Sequence, residues 1–244
     1  MLEQNYITPS AALYVRNHAP VPSLDDETHC ITVFLNKTDK TEQQSQERIL
    51  LSDIKARFAP VEVTSVLQCA GNRQTDDFKA TGINGFTGTV YQKIRQGMVG
   101  NVKWSGVRLD EVLRTLYPSE CEEEDASAST SASAEEEKEG EEEREKVGSW
   151  HVVFVGADEY ETSTPLHMLL NSESDCLLAT GMNDEDLTRD HGAPVRVILP
   201  GIAGARSVKW LESMRLSRTP SGKSMSMSMS MSMSMSMSMS MSMS

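Results

Sequence analysis

The stretch from Thr64 to Arg73 constrains the fold of this 244-residue chain more than any other. The β-branched and apolar residues from Val61 to Leu67 predict a buried strand. The strand leads to Cys69, and Gly71-Asn72 is a turn former that bends the backbone sharply after it. A thiolate at this strand end, near Arg73, can act as a nucleophile, a redox group or a soft metal ligand. A buried structural cysteine is the alternative interpretation.

Two segments of biased composition reduce the part of the chain that is expected to fold. Residues 119–147 hold thirteen acidic and three basic residues, a net charge of -10 out of the total of -13. The remainder is close to neutral, so the low pI describes a solvated, disordered loop and not an acidic binding face. Residues 224–244 alternate Ser and Met and carry ten of the fifteen methionines. This repeat predicts a disordered tail, with a metal-binding methionine tract as the alternative.

Composition also argues against several classes of partner. The arginines are spread among separate motifs and form no basic stripe, so nucleic-acid binding is not expected. No apolar stretch approaches the roughly 20 residues of a membrane helix, and residues 1–4 resemble no signal peptide, so neither a membrane span nor a targeting segment is expected. The four cysteines include no Cys-x-x-Cys pair, which indicates neither a disulfide framework nor a zinc site.

Hydrophobic periodicity predicts short strands alternating with short helices, which is typical of a mixed α/β or α+β domain. Ser52 is the expected N-cap of a helix that continues to Phe58, and residues 36–47 are polar and predict a loop. The remaining predicted elements are a helix at Leu109–Leu116, a short amphipathic turn at Leu166–Leu170, and strands at Ile31–Leu35, His151–Asp158, Cys176–Asn183 and Val195–Leu199.

Polar groups with anion-binding potential recur along the chain. Arg16, Asn17 and His18 form a compact cluster of donors suited to an anion, although a plain surface loop is the alternative. His191 and Arg196 flank a Gly-Ala-Pro turn. A lone histidine is most often a polar group whose hydrogen bonds are satisfied within the protein, whereas these two cationic-capable groups together suit an anionic phosphate. Asp158 follows a strand, where a carboxylate is usually a turn former.

A glycine-containing stretch, Gly201–Trp210, completes the set of candidate binding segments. Its small residues permit close backbone approach to a ligand, and Arg206 and Lys209 add positive charge. The stretch matches neither a phosphate-binding Walker loop nor a dinucleotide fingerprint, so nucleotide binding is disfavoured.

Four of these segments resemble, in the same order, those of the sulfite oxidase family, which includes the molybdenum domain of eukaryotic nitrate reductases. The resemblance spans residues 5–217 apart from insertions, and we expect one domain at 1–217 followed by a tail at 218–244. The matching segments are Tyr14–Pro22, Leu67–Arg73, Arg189–Arg196 and Pro200–Leu211.

The resemblance implies a molybdenum-molybdopterin (Mo-pyranopterin) cofactor with Cys69 as the protein ligand of molybdenum. Cys69 and Arg16 would be the catalytic residues, and Arg16 and Gln74 would face the substrate. The residues implied to contact the cofactor are Tyr14, Val15, Arg16, Asn17, His18, Asp158, His191, Arg196, Ser207, Val208 and Lys209.

The implied activity is oxygen-atom transfer on a small oxyanion, most readily sulfite to sulfate, with the electrons passing to a separate acceptor such as a cytochrome or oxygen. The chain departs from the family at Gln74, where a second arginine is usual, and we expect neither the segment with the catalytic tyrosine nor the dimerisation domain in it. A cofactor-binding protein with impaired turnover and a nitrate reductase-type domain are therefore alternatives. Dimerisation is left open, and so is the choice between a mitochondrial and a cytoplasmic location.

Overall fold

The computed structural model describes residues 6–35, 45–72, 97–132 and 149–221. These residues contain ten strands and four helices, joined by short 3-10 turns. None of the helices is long and apolar enough to cross a membrane. The strands are β1 (Cys30–Leu35), β2 (Ser45–Leu50), β3 (Pro60–Gln68), β4 (Val99–Arg108), β5 (His151–Gly156), β6 (Glu161–Pro165), β7 (Leu177–Met182), β8 (Glu185–Asp186), β9 (Arg196–Ile198) and β10 (Leu211–Ser217); the helices are α1 (Leu51–Arg57), α2 (Leu109–Leu116), α3 (Pro118–Ala132) and α4 (Leu166–Leu170).

The strands form two sheets, which confirms the predicted mixed architecture. The first sheet has the order β2-β1-β10-β5-β6, and β1 runs parallel to β10 with Thr32 opposite Ser213. The second sheet has the order β3-β4-β7-β8, and β9 also pairs with β7. Because β9 and β10 belong to different sheets, the segment between them joins the two sheets.

The larger apolar core is formed by the first sheet, the helices and side chains of the second sheet, among them Val107, Leu178 and Val197. Strands β1, β5 and β10 contribute inward-facing side chains, and α2 contributes the stripe of Leu109, Val112 and Leu113 that its periodicity predicts. A smaller core, which includes Leu67 and Trp104, packs on the second sheet. The side chains that form the two cores are almost fully buried, so the cores support the turns at the strand ends.

The strand that leads to Cys69 is less buried than predicted. Of the residues of β3 only Leu67 is buried, and exposed and half-buried positions alternate along the rest. The prediction of a buried strand was wrong because β3 pairs with β4 alone among the described residues and so lies at a sheet edge. Ser52 was also wrong as an N-cap, since α1 begins at Leu51 without a side-chain cap.

Part of the polar stretch at residues 36–47 is a strand and not a loop. β2 begins at Ser45 and pairs antiparallel with β1 over six residues, with Glu47 opposite Val33. A polar strand at the edge of a sheet keeps its side chains in water while its backbone is paired. Residues 36–44 lie outside the described part of the chain.

The acidic insert begins as a helix, which corrects the prediction of a solvated loop from residue 119. Pro118 occupies the first position of α3, where its missing N–H costs nothing, and glutamate and alanine favour the turns that follow. Cys121 and Glu124 are buried, and the Glu124 carboxylate accepts a hydrogen bond from the Trp150 backbone at 3.3 Å. Residues 133–148 lie outside the described part of the chain.

Contacts with the domain continue beyond the predicted boundary at residue 217. The Arg218 guanidinium lies 3.8 Å from the centre of the Trp150 ring and pairs with Glu123 of α3 at 2.7 Å. The Ser221 backbone N–H donates to the Ser163 hydroxyl at 2.8 Å. The first residues after β10 are therefore ordered against α3 and β6, while residues 222–244 lie outside the description.

Candidate functional site

Cys69 directly follows β3 and is held by the turn that the sequence predicts. Its backbone N–H donates to Met98 O at 3.0 Å, and the Asn72 N–H donates to Cys69 O at 2.9 Å. The Gly71 backbone N–H donates a hydrogen bond to the Cys69 sulfur at 3.4 Å. The side chain is half-buried and unbridged, so it is not a cysteine sealed in the apolar core.

Tyr14 of the N-terminal loop interacts electrostatically with both Cys69 and Arg196. Burial and the charge of Cys69 together raise the pKa of Tyr14 to about 12, although Arg196 acts in the opposite direction. A Cβ atom at Gly204 would lie 2.9 Å from Gln68 O and 3.0 Å from the Tyr14 hydroxyl oxygen. The absence of a side chain at Gly204 therefore lets its turn approach the end of β3.

Arg196 is a buried cation at the start of β9. Its Nη1 donates to His191 O at 2.9 Å and its Nη2 to Ser207 O at 3.2 Å, while Nε has no partner within the described part of the chain. The pKa of Arg196 is lowered from 12.5 to about 10, because burial lowers it more than the charge of Tyr14 raises it. A buried guanidinium with an unused donor suits an anionic ligand.

Lys209 lies beside this arginine, just before β10. Its Nζ donates to Asn17 Oδ1 and, at 2.8 Å, to Asp190 O. Burial, followed by the charge of the neighbouring Arg196, lowers the pKa of Lys209 from 10.5 to about 8. The two cations form a local excess of positive potential that a phosphate would neutralise.

The two histidines of the site also have lowered pKa values. Burial is the main cause for His191, followed by Arg196. For His18 burial is again the main cause, followed by Arg16, while Asp158 acts in the opposite direction. Both imidazoles are therefore biased to the neutral form, in which one ring nitrogen donates and the other accepts.

Asp158 serves as a turn former and also belongs to the site. Its Oδ1 accepts a hydrogen bond from the Tyr160 N–H at 3.2 Å, which is the turn role that the sequence suggests. Its charge also raises the pKa values of His18 and Lys209, so the carboxylate faces the cationic groups. A half-buried carboxylate here can accept hydrogen bonds from ring N–H groups of a ligand.

Other candidate residues lie in the same segments but offer different groups. Val15 is half exposed. The Ser207 hydroxyl accepts a hydrogen bond from Leu199 N at 3.2 Å, and the Val208 side chain is buried in the larger core. Because these side chains serve the protein interior, any contact that Ser207 and Val208 make with the cofactor uses their backbone.

The structure brings together most of the predicted site residues from four distant parts of the sequence. Arg73 and Gln74 lie outside the described residues, so the predicted substrate role of Gln74 stays a prediction. Sequence reasoning missed Tyr160, whose ring stacks on His18, and Trp104, whose ring lies 5.2 Å from the Arg196 guanidinium. An aromatic residue two positions after the strand-end aspartate was the available signal for Tyr160.

The donor set fits an anionic, heteroaromatic cofactor that carries a soft metal. Cationic or donor groups for a phosphate are supplied by Arg196, Lys209 and His191. The Nε of Arg196 has no hydrogen-bond partner among the described residues, so it can donate to such a ligand. Cys69 supplies one soft sulfur ligand.

Comparison with known proteins agrees with this geometry. The family model described as "Oxidoreductase molybdopterin binding domain" matches residues 18–225. The chain belongs to this family. Its cofactor is molybdopterin carrying molybdenum, as the sequence predicts.

Relatives and a solved structure share the domain. The chain is 36% identical to the mitochondrial sulfite oxidase of Drosophila melanogaster over 86% of its own length and 31% of that protein. It is 34% identical to sulfite oxidase of Arabidopsis thaliana, covering 88% and 49% of the two chains. The sulfane dehydrogenase SoxCD of Paracoccus pantotrophus matches the fold with a TM-score of 0.59 at 21% identity, over 90% of this chain and 46% of that one. The chain thus spans less than half of the length of each relative.

Proposed function

We propose that this domain is a molybdenum oxidoreductase that converts a small oxyanion by oxygen-atom transfer, with sulfite as the substrate and sulfate as the product. Sulfite gains one oxygen atom from water, and two protons and two electrons are released, the electrons to a separate acceptor such as a cytochrome or oxygen. The observation that carries the proposal is the position of the half-buried Cys69 thiol. Cys69 interacts electrostatically with Tyr14, and Tyr14 also interacts with the cation Arg196.

The residues of the site have distinct parts in this proposal. Cys69 would hold the metal, Arg196 and Lys209 would bind the cofactor phosphate, and Asp158 would accept hydrogen bonds from the pterin. The cofactor supplies the two-electron chemistry when it is bound. The positive charge of Arg16 would attract a divalent oxyanion and hold it by charge-assisted hydrogen bonds.

The test compares wild-type protein with Cys69→Ser and Cys30→Ser, all produced in a host that makes the cofactor. Cys30 is also a half-buried free cysteine, but it lies in β1, so it is a matched control for loss of a thiol. We expect about one molybdenum per wild-type chain, held partly by the cysteine sulfur. Anaerobic addition of sulfite should change the absorption spectrum of wild type and Cys30→Ser, and Cys69→Ser should show neither the change nor turnover.

Three other outcomes would each overturn a different part of the proposal. Folded protein without molybdenum from a competent host would refute the cofactor site. Protein that contains molybdenum but is not reduced by sulfite would be a binding protein without this turnover. Nitrate reduction with an artificial reductant, in the absence of a sulfite response, would indicate a nitrate reductase-type domain.

A further inference from the structure

The rings of His18 and Tyr160 are stacked face to face. Their centroids lie 4.5 Å apart and the planes differ by 4°. His18 belongs to the N-terminal loop, and Tyr160 belongs to the turn between β5 and β6. Stacking of flat rings at this separation is favourable and fixes the orientation of both planes.

Tyr160 makes two further contacts that hold it in place. Its hydroxyl donates to Ala205 O at 2.8 Å, in the turn that follows Pro200-Gly201. Its backbone N–H donates to Asp158 Oδ1 at 3.2 Å, and its carbonyl accepts from Gly156 N at 2.9 Å. One side chain therefore ties together the N-terminal loop, the β5–β6 turn and the turn at Gly204–Arg206, all three of which carry candidate cofactor-binding groups.

The loop that presents His18 has little regular structure of its own. No helix or strand is present between the 3-10 turn Ser10–Ala12 and β1. The loop is tethered by side chains of other segments, since Lys209 binds Asn17 and Arg189 donates to Val21 O and Pro22 O at 3.3 Å. Within residues 14–18, the stack on Tyr160 is the contact that sets the plane of the His18 ring.

We propose that Tyr160 is a positioning residue of the cofactor site: its ring fixes the plane of the His18 imidazole and, with it, the position of residues 14–18 that would bind molybdopterin. Loss of the ring frees His18 to rotate and loosens residues 14–18, so the cofactor dissociates faster. The inference rests on the cofactor and not on which oxyanion is the substrate. The role of Tyr160 can therefore be refuted while the proposed activity stands, and the proposed activity can be refuted while the role of Tyr160 stands.

The experiment compares Tyr160→Leu and Tyr160→Phe with Tyr117→Phe as the matched control. Tyr117 is buried at the end of α2, and its hydroxyl donates to Phe34 O at 3.0 Å and Met214 O at 3.3 Å, away from the site. The measurements are the release of molybdenum and pterin from loaded protein on dilution, and the amide exchange of residues 14–18 in cofactor-free protein. Thermal unfolding reports general stability.

We expect Tyr160→Leu to release the cofactor about two- to tenfold faster than wild type, the range that corresponds to a lost ring stack. Amide exchange at residues 14–18 should rise in the same variant. Tyr160→Phe keeps the stack and should remain within about twofold of wild type. Tyr117→Phe should lower the unfolding temperature without changing cofactor release.

Wild-type release rates and loop exchange in Tyr160→Leu would overturn the inference. So would an equal acceleration in Tyr117→Phe, because release would then follow general stability and not the stack. If Tyr160→Leu does not fold, Tyr160→Gln, which also lacks a ring, is measured in its place with the same expectations.

Discussion

Replacing Gly192 by alanine tests whether the two cations Arg196 and Lys209 are packed as tightly as the structure indicates. Gly192 ends the 3-10 turn Arg189–His191 with φ of 109°, a conformation that residues with a side chain rarely adopt. A Cβ atom there would lie 3.0 Å from Lys209 Cγ and 3.1 Å from Arg196 Cβ. Gly201 provides the matched control, because its φ of 77° is also positive but a Cβ would meet nothing within 4 Å.

The two substitutions share the backbone cost and differ in the packing cost. A left-handed conformation costs an alanine about 1–2 kcal/mol. At position 192 the methyl group also displaces Lys209, whose Nζ is held by Asn17 and by Asp190 O, and such overpacking costs about 1–3 kcal/mol more. We therefore expect Gly192→Ala to lose about 2–5 kcal/mol of unfolding free energy and Gly201→Ala about 1–2 kcal/mol.

Urea unfolding of the two cofactor-free variants at pH 7 measures this difference, and molybdenum content after purification measures its effect on the site. Gly192→Ala should retain less cofactor than Gly201→Ala, since displacement of Lys209 alters the cationic cluster. Equal stability losses in the two variants would refute the packing explanation. Full cofactor retention in Gly192→Ala would refute the placement of Lys209 at the cofactor.

Two further predictions concern charge. The pKa of Lys209 is near 8 in the folded domain and 10.5 as its ordinary value, so the unfolded chain holds more protons between these limits. The unfolding free energy of cofactor-free wild type, minus that of Lys209→Met, should therefore rise from pH 8 to 10.5, and a flat difference in urea titrations would contradict the lowered pKa. Arg218→Ala removes an exposed ion pair with Glu123 and a contact with Trp150. It should lower the unfolding free energy by no more than about 1 kcal/mol, and by less at high salt. A larger loss would indicate that the pair is shielded from water.

The sequence predicted local features well wherever a short pattern decides them. The stripe from Leu109 to Leu116 specifies one helix face, and the structure has that helix with those bounds. The turn after Cys69 contains Gly71, which bends the backbone readily. The close approach of the chain at Gly204 is possible because glycine has no side chain.

Features that depend on distant partners were beyond this kind of reasoning. The exposure of β3 depends on which strands flank it in the sheet, and its own composition does not specify them. The start of the acidic insert folds because Glu124 accepts a hydrogen bond from the Trp150 backbone and Cys121 is buried in the interior. The composition of the insert alone indicates disorder. The stack of His18 on Tyr160 joins residues far apart in sequence, and nothing near either residue indicates the other.

The parallel pairing of β1 with β10 has a consequence for the order of events during synthesis. The strand at residues 30–35 emerges from the ribosome long before its neighbour at residues 211–217. The first sheet is therefore open through its middle until residue 217 has been synthesised, and non-local pairing of this kind is slow. Lys209 lies just before this late strand, so the shorter nascent chain has no finished pocket in which the cofactor could be held.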